Sequence, residues 1–444
     1  MKTRIPESNP MMATTKILSS PDSAAPASQR QYGAVVWVIL ILLSIRGVLA
    51  FMSRTTLSDA LAYQPFVLSF HLTDVGRGVL NSAFFWSVAV LQIPMGYIVD
   101  RYGVKNPYAI SLFIWCLACA ACGASITVPQ LTAAFIFTGV GEAIVVPANF
   151  RWIRPNFTER RMGLAIAIYM IGTKLGPAIG APLAAWFIVK YNWRLLFVLV
   201  ALSGFILLPP WLLLVKNDIP ESAQPGKKSD GALPMSTLLS NPVVWGTIVI
   251  NFSYNYFLLY CMTWMPIYLV EKRHLSLEKM GIVQFISFVG IALIALAAGW
   301  IADLMIKRGG DPVLVRKGFV VAGFAIAATE VFGANTSSLN VALFWAVLSL
   351  SGLGLATANY LALCRMTLIP PSVVGVVSGI QNLAASMAGI VVPILSGWLL
   401  QSTGGYTAPM EVIMAFLLLA LVVCIVILRE EWAPKSPSIA VSGD

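Results

Sequence analysis

Apolar runs of about 20 residues recur from about residue 34 to about residue 428 with few gaps, and nothing else in the sequence restricts its fold so tightly. A helix needs about 20 apolar residues to cross a hydrocarbon core of roughly 30 Å. Inside lipid every backbone polar group must find a partner within the structure, which leaves helices or closed barrels. Barrel strands alternate apolar and polar residues over about ten positions, and the stretch AFLLLALVVCIVIL at 415–428 does not. The chain therefore reads as an all-α integral membrane protein. Its breaks place twelve spans at about 34–62, 76–99, 107–127, 131–151, 162–189, 194–215, 242–270, 280–306, 315–334, 339–362, 372–401 and 408–428. Composition agrees: 58% of the 444 residues are hydrophobic and 11% charged, against about 25% charged in a soluble protein.

The formal charge of +10 raises the question of nucleic acid, but its distribution answers otherwise. Arg101, Lys105, Arg151, Arg154, Arg160, Arg161, Lys307, Arg308, Arg316, Lys317 and Arg365 fall in breaks on one side, with Lys2, Arg4, Lys16 and Arg30 of the N-terminal tail and Lys216, Lys227 and Lys228 of the central loop. The opposite breaks hold Arg77, Lys190, Arg194, Lys272, Arg273 and Lys279. The positive-inside bias puts both termini in the cytoplasm of a multi-pass inner-membrane protein, as an even number of spans requires. No nucleic-acid partner is expected.

The longest polar interruption, rich in Pro, Gly, Ser and Lys, divides the spans six and six. The expected organisation is a disordered tail at 1–33, a first half at 34–215, a linker at 216–241, a second half at 242–428 and a tail at 429–444. Cys116, Cys119 and Cys122 have metal-like spacing but lie in an apolar helix without His or carboxylate, so they read as small packing residues. No metal and no cofactor are expected. His71 and His274, the only histidines, fall in expected outer loops, which leaves no constellation for an enzyme.

The charged residues inside spans carry the functional signal. Arg46 and Arg54 lie in the first, Glu142 in the fourth and Lys174 in the fifth. Each charge at mid-membrane costs about 2.5–3.5 kcal/mol unless it meets a partner or water, so all four are expected to line a central cavity. One carboxylate against three bases leaves a surplus of about two positive charges, which a bound anion would remove. Blander roles remain open: snorkelling of Arg54 to the interface, packing of Lys174 beside Gly172 and Gly176, and a structural ion pair for Glu142. The seventh span adds Asn255, Tyr256, Tyr260 and Trp264; the three rings, at i, i+4 and i+8, share a broad face suited either to substrate or to helix packing.

A repeat supports the two halves. GYIVDRYGVK begins at Gly96 and GWIADLMIKRGG at Gly299, each placing Gly and then Asp four residues on (Asp100 and Asp303) at the end of the second helix of a half. The Gly lets helices approach, and the Asp is placed to meet a basic side chain or helix N-terminus across the interface. GYIVDRYGVK, with Gly96, Asp100, Arg101 and Gly103, resembles the loop motif of the major facilitator superfamily. MSRTTLSDAL at 52, LNSAFFWSVAVLQIPMGYIVDRYG at 80, GVGEAIVVPANFRWIRPNFTERRMG at 139 and GVVSGIQNLAASMAGIVVPILSGWLL at 375 are similar to its anion:cation symporter branch, which includes carriers of galactonate, hexuronates, glucarate, glutamate and sialic acid.

The resemblance implies a major facilitator fold, with Arg54 for a substrate carboxylate, Glu142 for proton coupling, Asn382 in the eleventh span, and Arg160 within a conformational segment. It also marks departures. Ser53 stands where related carriers commonly have an acid, Val88 where they have a tyrosine, and Ser386 where they have a second asparagine; Arg46 and Lys174 are additional cations. The function implied is proton-coupled import of a small organic anion, a sugar acid or related carboxylate, by a monomer in the bilayer, with Arg46, Arg54, Lys174, Asn255, Tyr256, Tyr260 and Asn382 as binding residues. A drug or metabolite exporter and a non-transporting sensor are the alternatives.

Overall fold

The computed structural model describes residues 33–216, 235–370 and 373–434, with the backbone alone for Glu159, Arg160, Gly163, Ile171, Met235 and Ser236. The tail from residue 1 to 32 and the linker from 217 to 234, with their basic residues, lie outside the described residues, as does the side chain of Arg160. Every regular element among the described residues is helical.

Among the described residues twelve long helices follow one another: α1 Ala34–Ala62, α2 Asp74–Tyr102, α3 Lys105–Ala124, α4 Val128–Glu142 continued by Val145–Asn156, α5 Glu159–Lys190, α6 Trp193–Leu214, α7 Pro242–Thr263, α8 Leu277–Lys307, α9 Pro312–Ala328, α10 Leu339–Ala362, α11 Val374–Thr403 and α12 Thr407–Val426. Eleven are long and apolar enough to cross a membrane. The exception is α7, which is long enough but carries Asn251, Ser253, Tyr254 and Asn255. Its expected span runs past Trp264, where the helix stops; a short helix, Met265–Glu271, resumes with Pro266 in its first turn, where a missing N–H does no harm. A π-helical turn, Leu363–Thr367, extends α10.

Lipid supplies no hydrophobic force between helices, so close approach rests on small residues. α1 and α5 pack in parallel: a side chain at Gly172 would overlap the Ser44 carbonyl, and one at Gly180 the Thr55 hydroxyl. Ser44 Oγ also donates to the Ile168 carbonyl at 3.0 Å.

The two halves meet through α2 against α11 and α5 against α8. We call the end where α1 begins the near end and the opposite one the far end. At the far end α2 lies so close to α11 that a side chain at Gly78 would overlap the Pro393 carbonyl, while Gly281 of α8 sits against Ala181 and Pro182 of α5. At the near end, beyond the helix's own neighbouring turns, no atom of the described residues lies within 4 Å of where a Cβ at Gly375 or Gly379 of α11 would stand. The halves are joined at the far end and part toward the near end.

Candidate functional site

A cavity of about 270 Å³ lies between the halves, walled by α1, α2, α5, α7, α10 and α11. This is near the lower bound of small-molecule sites, roughly 300 Å³. Phe51, Phe84, Phe85, Leu258, Leu259 and Met262 make its wall largely carbon, and Arg54, Lys174, Tyr254, Asn255, Thr357 and Ser386 supply the polar groups.

Arg54 and Glu142 form an ion pair. The Arg54 guanidinium lies 4.1 Å from the Phe51 ring centroid and 4.3 Å from that of Phe84, so its faces meet rings while its edge meets the carboxylate. Glu142 is placed there by the two glycines before it. Gly139 packs on the Phe84 carbonyl of α2, and Gly141 on Trp115 of α3, and Ser111 Oγ donates to the Gly141 carbonyl at 2.5 Å. α4 thus slots between α2 and α3, and breaks immediately after Glu142. Glu142 Oε2 and Arg54 Nε are buried without a hydrogen-bond partner.

Lys174 projects from α5 into the same cavity. Its ammonium stands 3.5 Å from the Tyr254 hydroxyl, which shares a 2.9 Å hydrogen bond with Thr357. No carboxylate among the described residues pairs with it. Asn255 also lines the cavity, its amide donating to the Asn251 carbonyl at 2.8 Å. Val88 and Ser386, two of the departures noted in the sequence, are on the wall. The third, Ser53, is turned inward and donates to the Ala50 carbonyl.

Three expected lining residues are placed elsewhere. Arg46 is 2% exposed, stacked 4.1 Å above the Trp115 ring inside the first half. Eight residues separate it from Arg54, which turns it by about 80° on the helix, toward α3 and away from the cavity. Tyr256 and Tyr260 lie about 200° and 240° round α7 from Tyr254, and are buried within the second half, where Tyr256 packs on Phe252 and Phe416. The cavity face of α7 is instead Tyr254, Asn255, Leu258, Leu259 and Met262. The shared face of Tyr256, Tyr260 and Trp264 is real, but it faces the core.

Asn382 does not line the cavity. Its Oδ1 accepts from Arg365 at 3.1 Å, and Gln381 Oε1 accepts from Arg365 Nε at 2.8 Å, tying the π-helical turn to α11. Asp100 and Asp303 each meet a basic side chain of a neighbouring helix, the kind of partner the sequence leads one to expect. Asp100 pairs with Arg151 at 2.6 Å and Asp303 with Arg316 at 3.2 Å, each within its own half. Arg101 stacks on Tyr102. Gly96 packs near Pro147 of α4, and Gly103 ends α2 at φ +77°, a conformation natural to glycine. The six cysteines are free and buried, and no metal-binding group occurs among the described residues.

A network at the far end escaped the sequence reading, because its members sit in breaks where charges serve as topology signals. Glu271 accepts from Arg77 at 2.6 Å and from Gln64 at 2.8 Å, both of the first half, and from Tyr406 at 2.8 Å. Burial, together with the Glu271 charge beside it, raises the pKa of the Tyr406 hydroxyl, so it stays a donor. Val75 N donates to Gln401 at 3.3 Å.

The family profile described as Major Facilitator Superfamily matches residues 43–393. A protein described as a probable galactarate/D-glucarate transporter, GarP of Escherichia coli K12, is 27% identical over 416 residues, 87% of this chain and 93% of its own. A D-galactonate transporter of Escherichia coli O6:H1 is 27% identical, covering 86% and 92%. A hexuronate transporter of Bacillus subtilis is 27% identical, covering 83% and 89%. Among solved structures, a bacterial homologue of the human lysosomal transporter Spinster, inward-facing and unoccupied, superposes with a TM-score of 0.71 at 16% identity, covering 92% of this chain and all of that one. It shares the fold, two six-helix halves about a central cavity. The chain is a multi-pass membrane transporter, not an enzyme, and it belongs to the major facilitator superfamily.

Proposed function

We propose that the protein imports a small organic anion, a sugar acid or related carboxylate, together with protons. The supporting observation is the cavity itself: among the described residues its charged lining groups are the two cations Arg54 and Lys174, and the one acid beside them, Glu142, is paired with Arg54. Two bases against one acid leave a positive site, and the planar guanidinium of Arg54 suits bidentate binding of a carboxylate.

Coupling follows from competition for Arg54. A proton on Glu142 ends its hold on the guanidinium and frees Arg54 for the substrate; by reciprocity, a substrate carboxylate on Arg54 favours the proton on Glu142. Lys174, Tyr254 and Asn255 complete the site. With the near end as the cytoplasmic one, as the positive-inside bias indicates, the described state faces inward, and rocking of the halves about the cavity exposes Arg54 to either side in turn. The relatives that carry galactarate, glucarate, galactonate and hexuronates in their descriptions are consistent with a carboxylate cargo.

Uptake by proteoliposomes under an imposed pH gradient tests this. Arg54→Ala should abolish anion binding and uptake. Glu142→Gln should lose gradient-driven accumulation while keeping exchange; accumulation at the wild-type level would remove Glu142 from the coupling role.

A further inference from the structure

The cavity's charge balance bears on the number of acidic groups its cargo carries. Lys174 has a hydroxyl neighbour, Tyr254, and no acid partner among the described residues, whereas Arg54 is paired with Glu142. When Glu142 is ionised, the three groups sum to one positive charge; when it is protonated, they sum to two. A state occluded from water on both sides is most stable when the charges within it cancel, because uncompensated charge in a low-dielectric interior is costly. A monoanion cancels the site without a proton. A dianion cancels it only with one.

The geometry separates the two cations. The parallel packing of α1 and α5 sets Gly172 beside Ser44 and Val48, and Gly176 beside Phe51 and Met52. Lys174 is therefore level with about residue 48 of α1, six residues before Arg54, and the two backbones differ in depth by roughly 9 Å at 1.5 Å per residue. The cavity wall that both cations share is mainly carbon, with Phe51, Phe85, Val88 and Met170 among its residues. Other charges and titratable groups near Arg54 do not change the count in the cavity: Arg46 and Tyr169 act on it from within the half.

We infer that the cargo is a small dianion with an acidic group at each end of its skeleton, one taken by Arg54 and the other by Lys174, and that it crosses with the proton on Glu142. This rests on the proton-coupled reading above and gives it a substrate class. Lys174, an additional cation beside the sugar-acid pattern, is then the residue that selects two acids over one.

Purified full-length protein is titrated with matched diacid and monoacid pairs, glucarate with gluconate and phthalate with benzoate, with binding followed by thermal shift. The inference expects one diacid to bind at least tenfold tighter than its monoacid. Lys174→Met should lower that diacid's affinity at least tenfold and the monoacid's by less, and Lys174→Arg should restore the preference. Monoacids binding as tightly as diacids, or Lys174→Met weakening both equally, would overturn the inference while leaving carriage of an organic anion standing. If no member of either pair binds, the inference and the carboxylate reading fall together. An unliganded melting temperature near that of wild type shows that the Lys174 variants are folded.

Discussion

At the far end, Arg77 and Gln64 of the first half meet Glu271 of the second, and α2 touches the α11 backbone through Gly78. At the near end, Asp100 and Asp303 find their partners within their own halves, and Gly375 and Gly379 face open space. The closest backbone approaches of the two helix pairs, Gly78 of α2 on α11 and Gly281 of α8 on α5, thus lie at the far end. Contacts within a half survive a rigid-body rocking motion, while those between halves must break. The far-end network therefore sets how readily the described state gives way to its opposite, and the near-end ion pairs brace each half through the change.

Five substitutions sharpen or break this contrast. The largest effect is expected from Gly78→Leu, whose side chain has no room beside the Pro393 backbone. Overpacking of this kind typically costs about 1–3 kcal/mol, enough to shift the two-state population by roughly 5- to 150-fold. A cysteine in place of Asn81, buried just inside the far end, should then react much faster with a thiol reagent that does not cross the membrane; the native cysteines are buried and serve as the background. Unchanged labelling would mean that the far-end closure is not part of the transport cycle.

Glu271→Gln comes next. It removes the acceptor charge shared by Arg77, Gln64 and Tyr406, and hydrogen bonds to charged groups contribute about 1.5–3 kcal/mol when well formed. Glu271 is 21% exposed, which reduces the effect, so about a tenfold rise in labelling of the Asn81→Cys reporter is expected. Tyr406→Phe removes one of those donors and should change labelling by less, about 1 kcal/mol or fivefold.

Gly379→Leu is the near-end counterpart of Gly78→Leu. In the described state it meets nothing, so the unliganded melting stability should shift by no more than about 0.5 kcal/mol. Turnover should nevertheless fall if the near end closes during the cycle. Equal melting and equal turnover would leave the near end without a closing role. The smallest effect is expected from Asp303→Asn. Its carboxylate is 61% exposed, and exposed pairs contribute about 0.2–1 kcal/mol, so stability should barely move and cysteine labelling not at all.

Much of the architecture was legible because lipid enforces it. The spans, the internal repeat and the unusual depth of Arg54, Glu142 and Lys174 follow from hydropathy and charge alone, and α1 at Ala34–Ala62 has the limits its apolar run predicts. The orientation of side chains was less legible. Arg46 and Arg54 carry the same signal, a cation deep in the first span, yet one stacks on Trp115 and the other meets Glu142. Tyr256 and Tyr260 carry the same aromatic signal as Tyr254, yet only Tyr254 reaches the cavity. A helix can turn any one of its faces to the core, and an apolar sequence with little amphipathic pattern does not say which.

By itself the sequence determined that this chain lives in lipid as two groups of six helices with surplus positive charge within them, since the cost of exposing peptide groups or bare charges to hydrocarbon allows few other outcomes. Only the tertiary structure decided which cations share the cavity, which acid answers Arg54, and which end of the molecule is joined. Those choices depend on helix rotation and on glycine contacts such as Gly141 on Trp115 and Gly78 on Pro393, where approach to within van der Waals distance is set by residues far apart in the chain.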